Sequence, residues 1–536
     1  MAAIIFDGVD FHYDTPYNDV FQNLSLVLDT HWRSGLIGRN GRGKTTLLQL
    51  IHRQLQATAG TVDVHRPTIY FPARSTEAAN EAVTVRQTMI DAIAPFRRWE
   101  AEMAQCLKED SDSALERFAD LQDNFQNAGG YELNANIERE LDHIALDSGM
   151  LERRFSTLSG GEQTRILIAA LFVSEQHFPL IDEPTNHLDQ AGRRQVADYL
   201  AEKKGFLLVS HDRQFLDGAI DHVIAINKSD IEVTAGTFNA WQADMASVLL
   251  HEQRTRANIE RDVKQLSRAS SQRRSSAQQR ESDKHQHGKS GKGDAAIFDK
   301  GAIGHSAAKQ MKRALSIERR INQQLEEKRG LLKNQEKQRV LSIQTRDQTS
   351  RTLLTINNLG LEIDNRTIIQ NLSLTLSSGD RIAITGPNGS GKTSLFNAIC
   401  GELTPTTGSI SQAAHIRFER AFQHPIWVKG ALLTHIVAAD IDETRFRQLL
   451  GTLEVRGDVF DRPLETFSQG QLKKVDLCRT LVSEVDYLLW DEPMNYIDIF
   501  SREQFEQAIV VSSPTLLFIE HDETFVRNVA TEVIGL

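Results

Sequence analysis

Of 536 residues only three are cysteine, Cys106, Cys400 and Cys478, and they are far apart with no C-x-x-C pair. That spacing offers neither a zinc site nor an iron–sulfur cluster, and the scarcity fits a reducing compartment. No apolar run approaches the roughly 20 residues that cross a bilayer, so any membrane partner would be a separate chain. The opening MAAIIFDGVDF has no basic leader and no long apolar stretch. No signal peptide is expected, and the expected location is cytoplasmic. Positive charge is also in deficit, with 61 Lys and Arg against 72 Asp and Glu and a net charge of −11. Alone, that would argue against a nucleic-acid partner. The average hides an asymmetry. Residues 251–340 hold 22 Lys and Arg against 11 Asp and Glu, which leaves 39 against 61 elsewhere. Acidic flanks are joined by a basic segment.

What is present is one motif, twice. GRNGRGKTT from Gly38 to Thr46 recurs as GPNGSGKTS from Gly386 to Ser394. Both satisfy G-x-x-x-x-G-K-[ST], the phosphate-binding loop. Gly38, Gly41 and Gly43, like Gly386, Gly389 and Gly391, let the backbone curl until its amides point at phosphate oxygens. Asn40 and Asn388 sit inside the two loops, and Thr46 and Ser394 close them. Lys44 and Lys392 would reach the outer phosphates, while Thr45 and Thr393 would hold Mg²⁺. Two matches imply two nucleoside triphosphates, and ATP and Mg²⁺ are the expected ligands.

The partner motifs follow in the same order in each half. Leu158-Ser159-Gly160-Gly161-Glu162 opens an apolar helix, and Ser159 is a good N-cap. A hydrophobic strand then ends in Asp182 and Glu183; the first would hold Mg²⁺ and the second would orient the attacking water. His211 ends a further strand and could contact the γ-phosphate. The second half repeats this with Gln423, Ser468-Gln469-Gly470-Gln471, Asp491, Glu492 and His521. Tyr13 either stacks on an adenine or is a partly buried strand residue. From Val85 to Ala145 the apolar spacing predicts helices, read as a surface insertion with a packed subdomain as the alternative. Strands alternating with helices predict a three-layer α/β fold in each half, as an internal duplication would produce.

Together these motifs resemble the ABC ATPase cassette, present twice. The resemblance implies two P-loop ATPase domains, 1–240 and 350–536, each with a helical subdomain, joined by a helical-hairpin linker over 241–349. It further implies head-to-tail closure around two ATP molecules. Gly38 to Thr46, Asp182, Glu183 and His211 would face Ser468 to Gly470. Gly386 to Ser394, Gln423, Asp491, Glu492 and His521 would face Ser159 to Gly161. Glu183 and Glu492 are the expected catalytic carboxylates, with His211 and His521 beside them, and Gln423 is expected near the second metal. Three positions depart from the family: Ala73 where a glutamine is usual, Gln469 in the second signature, and Ile363 where an aromatic is usual. The first two fall in the first site, which is therefore expected to be the slower.

The linker decides the branch. Leu249, Leu250, Ile259, Val263 and Leu266, and then Met311, Leu315, Ile321, Leu325 and Leu332, predict two amphipathic helices around a polar tip at 269–304. A basic tip suits folded RNA, and a solvated spacer is the plain alternative. The candidate RNA contacts are Arg268, Arg273, Arg274, Arg280, Lys284, Lys289, Lys292, Lys300, His305 and Lys309. This arrangement resembles the ABC-F family, translation factors that bind the ribosomal E site in the ATP-bound state. The resemblance implies large-subunit rRNA and P-site tRNA as partners, no membrane, no DNA, and a monomer off the ribosome. The segments around His305 and Trp490 to Asp498 resemble the antibiotic-resistance branch, which displaces lincosamide, streptogramin A and pleuromutilin drugs. A housekeeping ABC-F factor and the tandem ATPase of an importer stay open as alternatives.

Overall fold

A computed structural model describes residues 3–14, 17–72, 83–109, 111–227, 230–248, 352–363, 366–455 and 457–536, with isolated positions between 250 and 343. The chain divides into two compact units, 1–239 with 338–536, and 240–337. Within the first unit each half combines an antiparallel sheet, a parallel sheet and helices.

In the first half β1 (Ala3–Asp14) pairs on one side with β2 (Tyr17–Asp29) and on the other with β4 (Ala59–Val64). Alternating burial along β1 puts Ile4, Phe6, Val9 and Phe11 inside. The central sheet runs β5 (Thr68–Phe71), β6 (Phe178–Asp182), β7 (Phe206–Val209), β3 (Arg33–Gly38), β8 (His222–Ile226), β9 (Ile231–Ala235). All its pairings are parallel except β8 with β9. Strands β6, β7, β3 and β8 are buried on both faces, so they read as continuous apolar runs, whereas the edge strands β5 and β9 alternate or stay partly exposed. Helix α1 (Lys44–Ile51) follows β3 directly.

The region read as a surface insertion folds differently. It forms α2 (Val85–Ile93), α3 (Phe96–Cys106), α4 (Asp112–Asn127) and α5 (Leu133–His143). Helices α3 and α4 pair with each other, while α2 touches α3 and α5, and α2 and α5 rest on α6 (Gly160–Leu171), burying Met89, Ile93, Ile137 and Leu141. Most of the segment is thus a packed subdomain, because its apolar stripe needs a partner that α6 supplies. Helices α7 (Gln190–Glu202) and α8 (Arg213–Ala219) complete the half.

The second half repeats the plan. One sheet runs β11 (Arg366–Ser377), β10 (Thr352–Ile363), β13 (Thr407–Gln412); the other runs β14 (Phe418–Ala421), β15 (Tyr487–Asp491), β16 (Leu516–Ile519), β12 (Arg381–Thr385), β17 (Glu532–Gly535). Its helices are α9 (Lys392–Ile399), α10 (Leu432–Ala438), α11 (Glu443–Thr452), α12 (Gln469–Val482), α13 (Ile499–Ser512) and α14 (Glu523–Val529). Leu341 and Ile343 are buried in this half's core rather than in a linker that lasts to 349. Of the linker stripe, the described Leu250 is half-exposed, at 48 %. Among the described residues no helix is long and apolar enough to cross a membrane.

Two candidate sites shared between the halves

Each phosphate-binding loop faces the serine-glycine turn of the opposite half. The first cleft, about 340 Å³, is lined by Tyr13, Asn40, Gly41, Gly43 to Thr46, Asp182, Glu183 and His211, and across from them by Ser468, Gln469, Gly470 and Tyr496. The second, about 740 Å³, is lined by Asn388, Gly389, Gly391 to Ser394, Gln423, Glu492 and His521, with Ser159, Gly160 and Gly161 opposite.

Local chemistry explains the loops. Strand β3 ends at Gly38 and α1 begins at Lys44, so the turn between them must be tight. Gly43 has φ 91°, and a Cβ there would lie 2.5 Å from Val20 and 2.8 Å from Phe21. Gly391 has φ 94°, with Ile368 at 2.3 Å from the same point. Only glycine fits both demands. The first-turn amides of α1 and α9 are left for an anion. Lys44 Nζ donates to the carbonyls of Gly38 (2.8 Å) and Arg39 (3.2 Å), and Lys392 Nζ to those of Gly386 (2.9 Å) and Pro387 (2.7 Å). Gly38 and Gly386 thus act from behind the lining. Burial holds both ammonium groups below their ordinary pKa.

The serine turns are helix caps. Ser159 accepts from the amide of Glu162 (3.3 Å), whose carboxylate accepts from the amide of Ser159 (2.8 Å). Ser468 and Gln471 make the same pair at 3.2 and 2.9 Å. Gln471, expected among the ATP contacts, is instead spent on this cap and does not line the cleft. Across the first cleft Asn40 Nδ2 donates to Tyr496 O at 2.8 Å, and its amide points at Asp498 at 3.4 Å. Asp498 is fully buried and also accepts from Lys474 Nζ at 2.9 Å.

Strand ends present the carboxylates. Thr45 Oγ1 and Tyr70 OH both donate to Asp182 Oδ2, at 3.0 and 2.9 Å. Asp491 accepts from Thr393, has Arg420 at 3.8 Å, and keeps Oδ1 buried without a hydrogen bond. A hydroxyl beside a carboxylate, with one carboxylate oxygen unused, fits a small divalent cation. Glu183 and Glu492 adopt left-handed backbone, φ 51° and 47°, each anchored through its amide to the neighbouring strand, at Val209 O and Ile519 O. Such strain persists where surrounding structure enforces it.

The two glutamates differ. Glu183 Oε1 has His211 Nε2 at 3.2 Å and no hydrogen bond; burial, then the Asp182 charge, pushes its pKa up to about 8. Glu492 Oε2 accepts from Gln423 Nε2 (3.1 Å) and Asn495 Nδ2 (2.5 Å). Burial alone would raise that carboxyl, but the His521 imidazole at 3.7 Å and these amide donors bring it to about 2. Burial, followed by the Lys44 charge, depresses His211 well below the usual imidazole range.

Tyr13, the open question of the sequence, lies at the first cleft with its hydroxyl 3.0 Å from Thr46 Oγ1. The corresponding Ile363 does not line the second cleft, where Ile368 does. Ala73 is outside the described residues, as are Arg273, Arg274, Arg280, Lys284, Lys289, Lys292, Lys300, His305 and Lys309. Arg268 is described, exposed and helical. Tyr496 and Asp498 fall in the Trp490 to Asp498 segment, which does not mark them as cleft residues, and Tyr70 carries no motif. Asn495 had one available, because an asparagine follows each glutamate by three residues, at Asn186 and Asn495.

The ABC transporter family profile matches residues 21–186 and 369–495, more than half of the chain. The chain belongs to the ABC transporter family. It is similar to the tylosin resistance ATP-binding protein TlrC of Streptomyces fradiae, at 28 % identity over 96 % of this chain and 94 % of that one. ABC transporter F family member 2 of Arabidopsis thaliana is 24 % identical over 96 % of this chain and 74 % of the relative. Among solved structures, an archaeal ribosome recycling factor in complex with a ribosomal stalk protein superposes with TM-score 0.58 at 18 % identity, covering 98 % of this chain and 87 % of that one. That likeness concerns the fold. The protein is a tandem ABC ATPase that binds and hydrolyses ATP.

Proposed function

We propose that this ATPase is a ribosome-associated ABC-F factor that binds the E site with both clefts closed on ATP and protects the ribosome from lincosamide, streptogramin A or pleuromutilin drugs. The observation that carries it is that each cleft is completed by the opposite half, as in Asn40 against Tyr496. ATP bound in either cleft touches both halves, so binding favours closure and hydrolysis removes that preference. Thr45 with Asp182, and Thr393 with Asp491 and Gln423, would hold Mg²⁺. The ion would neutralise charge on the outer phosphates. Glu183 and Glu492 orient water against the γ-phosphate, Lys44 and Lys392 bind it, and His211 and His521, beside the glutamates at 3.2 and 3.7 Å, contact it. The basic stretch at 251–340 supplies the attraction to rRNA and P-site tRNA. Support for the resistance role comes from the relative named for tylosin resistance. A housekeeping translation factor is the second reading, favoured by a plant F-family relative that matches an equal share of the chain without such a name.

Sedimentation of the Glu183→Gln, Glu492→Gln double variant with ribosomes tests the core of this reading. Co-sedimentation that requires ATP is expected, and drug-protection assays then separate the two roles. Protein that stays free with and without ATP refutes ribosome association.

A further inference from the structure

Helix α12 presents two surfaces to two different sites. Its N-terminal Ser468, Gln469 and Gly470 line the first cleft. One turn further, Lys473 is fully buried and its Nζ donates to three main-chain carbonyls: Phe422 (2.6 Å), Gln423 (3.2 Å) and Asp491 (3.4 Å). Gln423 and Asp491 belong to the second site. The contact continues along the same face. Asp476 accepts from the amide of Phe422 at 3.2 Å, and Arg479 reaches Glu419 at 2.7 Å as well as the carbonyl of Arg420. Residues at 473, 476 and 479 therefore form a buried polar ladder onto β14 and the glutamine that follows it.

The fold does not require this ladder. Counting from the capping serines, the matching positions of α6 are Thr164, Leu167 and Ala170. Removing an ammonium from water costs several kcal/mol, and an apolar substitute commonly packs as well or better. An apolar face also tolerates sliding, whereas directional hydrogen bonds to three carbonyls hold the helix in one register. A helix that shifts at its N-terminus must then carry Gln423 and the end of β15 with it.

We propose that Lys473 is a positioning residue that couples the two composite sites, passing the nucleotide state of the first cleft, through α12, to Gln423 and Asp491 of the second. This rests on the assignment of the clefts as the ATP sites. In the full chain, Glu183→Gln keeps the first site filled and Lys44→Ala empties it, so in both only the second site turns over. The readouts are bound nucleotide per chain and the KM for ATP. With Lys473 in place, KM should differ between the two backgrounds by about fivefold or more; closure shared by the two clefts supplies part of that difference, and Lys473→Met or Lys473→Thr should cut it by at least half. A merely structural lysine would lower the melting temperature or turnover in both backgrounds and leave that ratio intact. A ratio that survives both substitutions, or that is already near one in the unsubstituted chain, overturns the coupling. If Lys44→Ala leaves the number of bound nucleotides unchanged, the cleft assignment itself fails, and the coupling with it.

Discussion

Gly470→Ala isolates what the shared first cleft depends on. A Cβ at Gly470 would lie 2.2 Å from Asn40 Nδ2 and 2.7 Å from Tyr496 O, where ordinary contact begins near 3.4 Å. The carbonyl is main chain and cannot rotate away. Asn40 can swing aside, but only by giving up its 2.8 Å hydrogen bond to that carbonyl. Losing the bond costs about 1 kcal/mol, and overpacking adds about 1–3 kcal/mol. Together these predict roughly 2–4 kcal/mol against closure, or about 30- to 1000-fold. Tyr496 belongs to the same half as Gly470, so part of the overpacking falls within that half, offset by the preference of alanine for the first turn of α12, up to about 1 kcal/mol. The assay is ATP turnover in a Glu492→Gln background, where only the first site works, with melting temperature as the control. First-site kcat/KM should fall by up to that factor, and by more than the stability lost in the melting temperature accounts for. Unchanged kcat/KM would refute the tight apposition of Gly470 and Asn40.

Further tests address the interface, the carboxylates and the basic segment. Arg213 of α8 forms a buried ion pair with Glu506 of α13, and Asn528 Nδ2 also reaches that glutamate at 2.9 Å. Arg213→Ala should cost about 3–5 kcal/mol in urea unfolding by stranding a buried charge, and Arg213→Met with Glu506→Leu should recover most of it; a single-variant loss below about 1 kcal/mol refutes this. Glu492, at about 2 instead of 4.5, adds stability that is complete above pH 4.5 and disappears as pH falls through 2. Its worth is about 3 kcal/mol, so Glu492→Gln should be less stable than the unsubstituted chain at pH 6 and converge with it on acidification; parallel curves count against it. Arg273→Ala with Arg274→Ala should weaken ribosome binding and flatten its salt dependence by about two phosphate contacts, whereas an unchanged slope means these arginines do not face phosphate.

The sequence alone determined the repeated phosphate loops, the strand-borne Asp182–Glu183 and Asp491–Glu492 pairs, and the capping serines. Each is set by local stereochemistry: glycine at positive φ, a carboxylate at a strand end, a hydroxyl at a helix start. Periodicity marked α2 and α5 as amphipathic but could not name the partner that turns most of a supposed surface insertion into a subdomain on α6. Only the tertiary structure decided which chain segments complete each cleft. Asn40 meets Tyr496 across 456 residues of sequence, and no local pattern encodes that separation. It also decided that two equivalent glutamates occupy unlike environments. Glu183 and Glu492 each follow an apolar strand and an aspartate, yet one is desolvated beside a second carboxylate and the other is held by Gln423 and Asn495. A carboxyl's charge depends on the groups within a few ångströms, and folding rather than chain order brings those together.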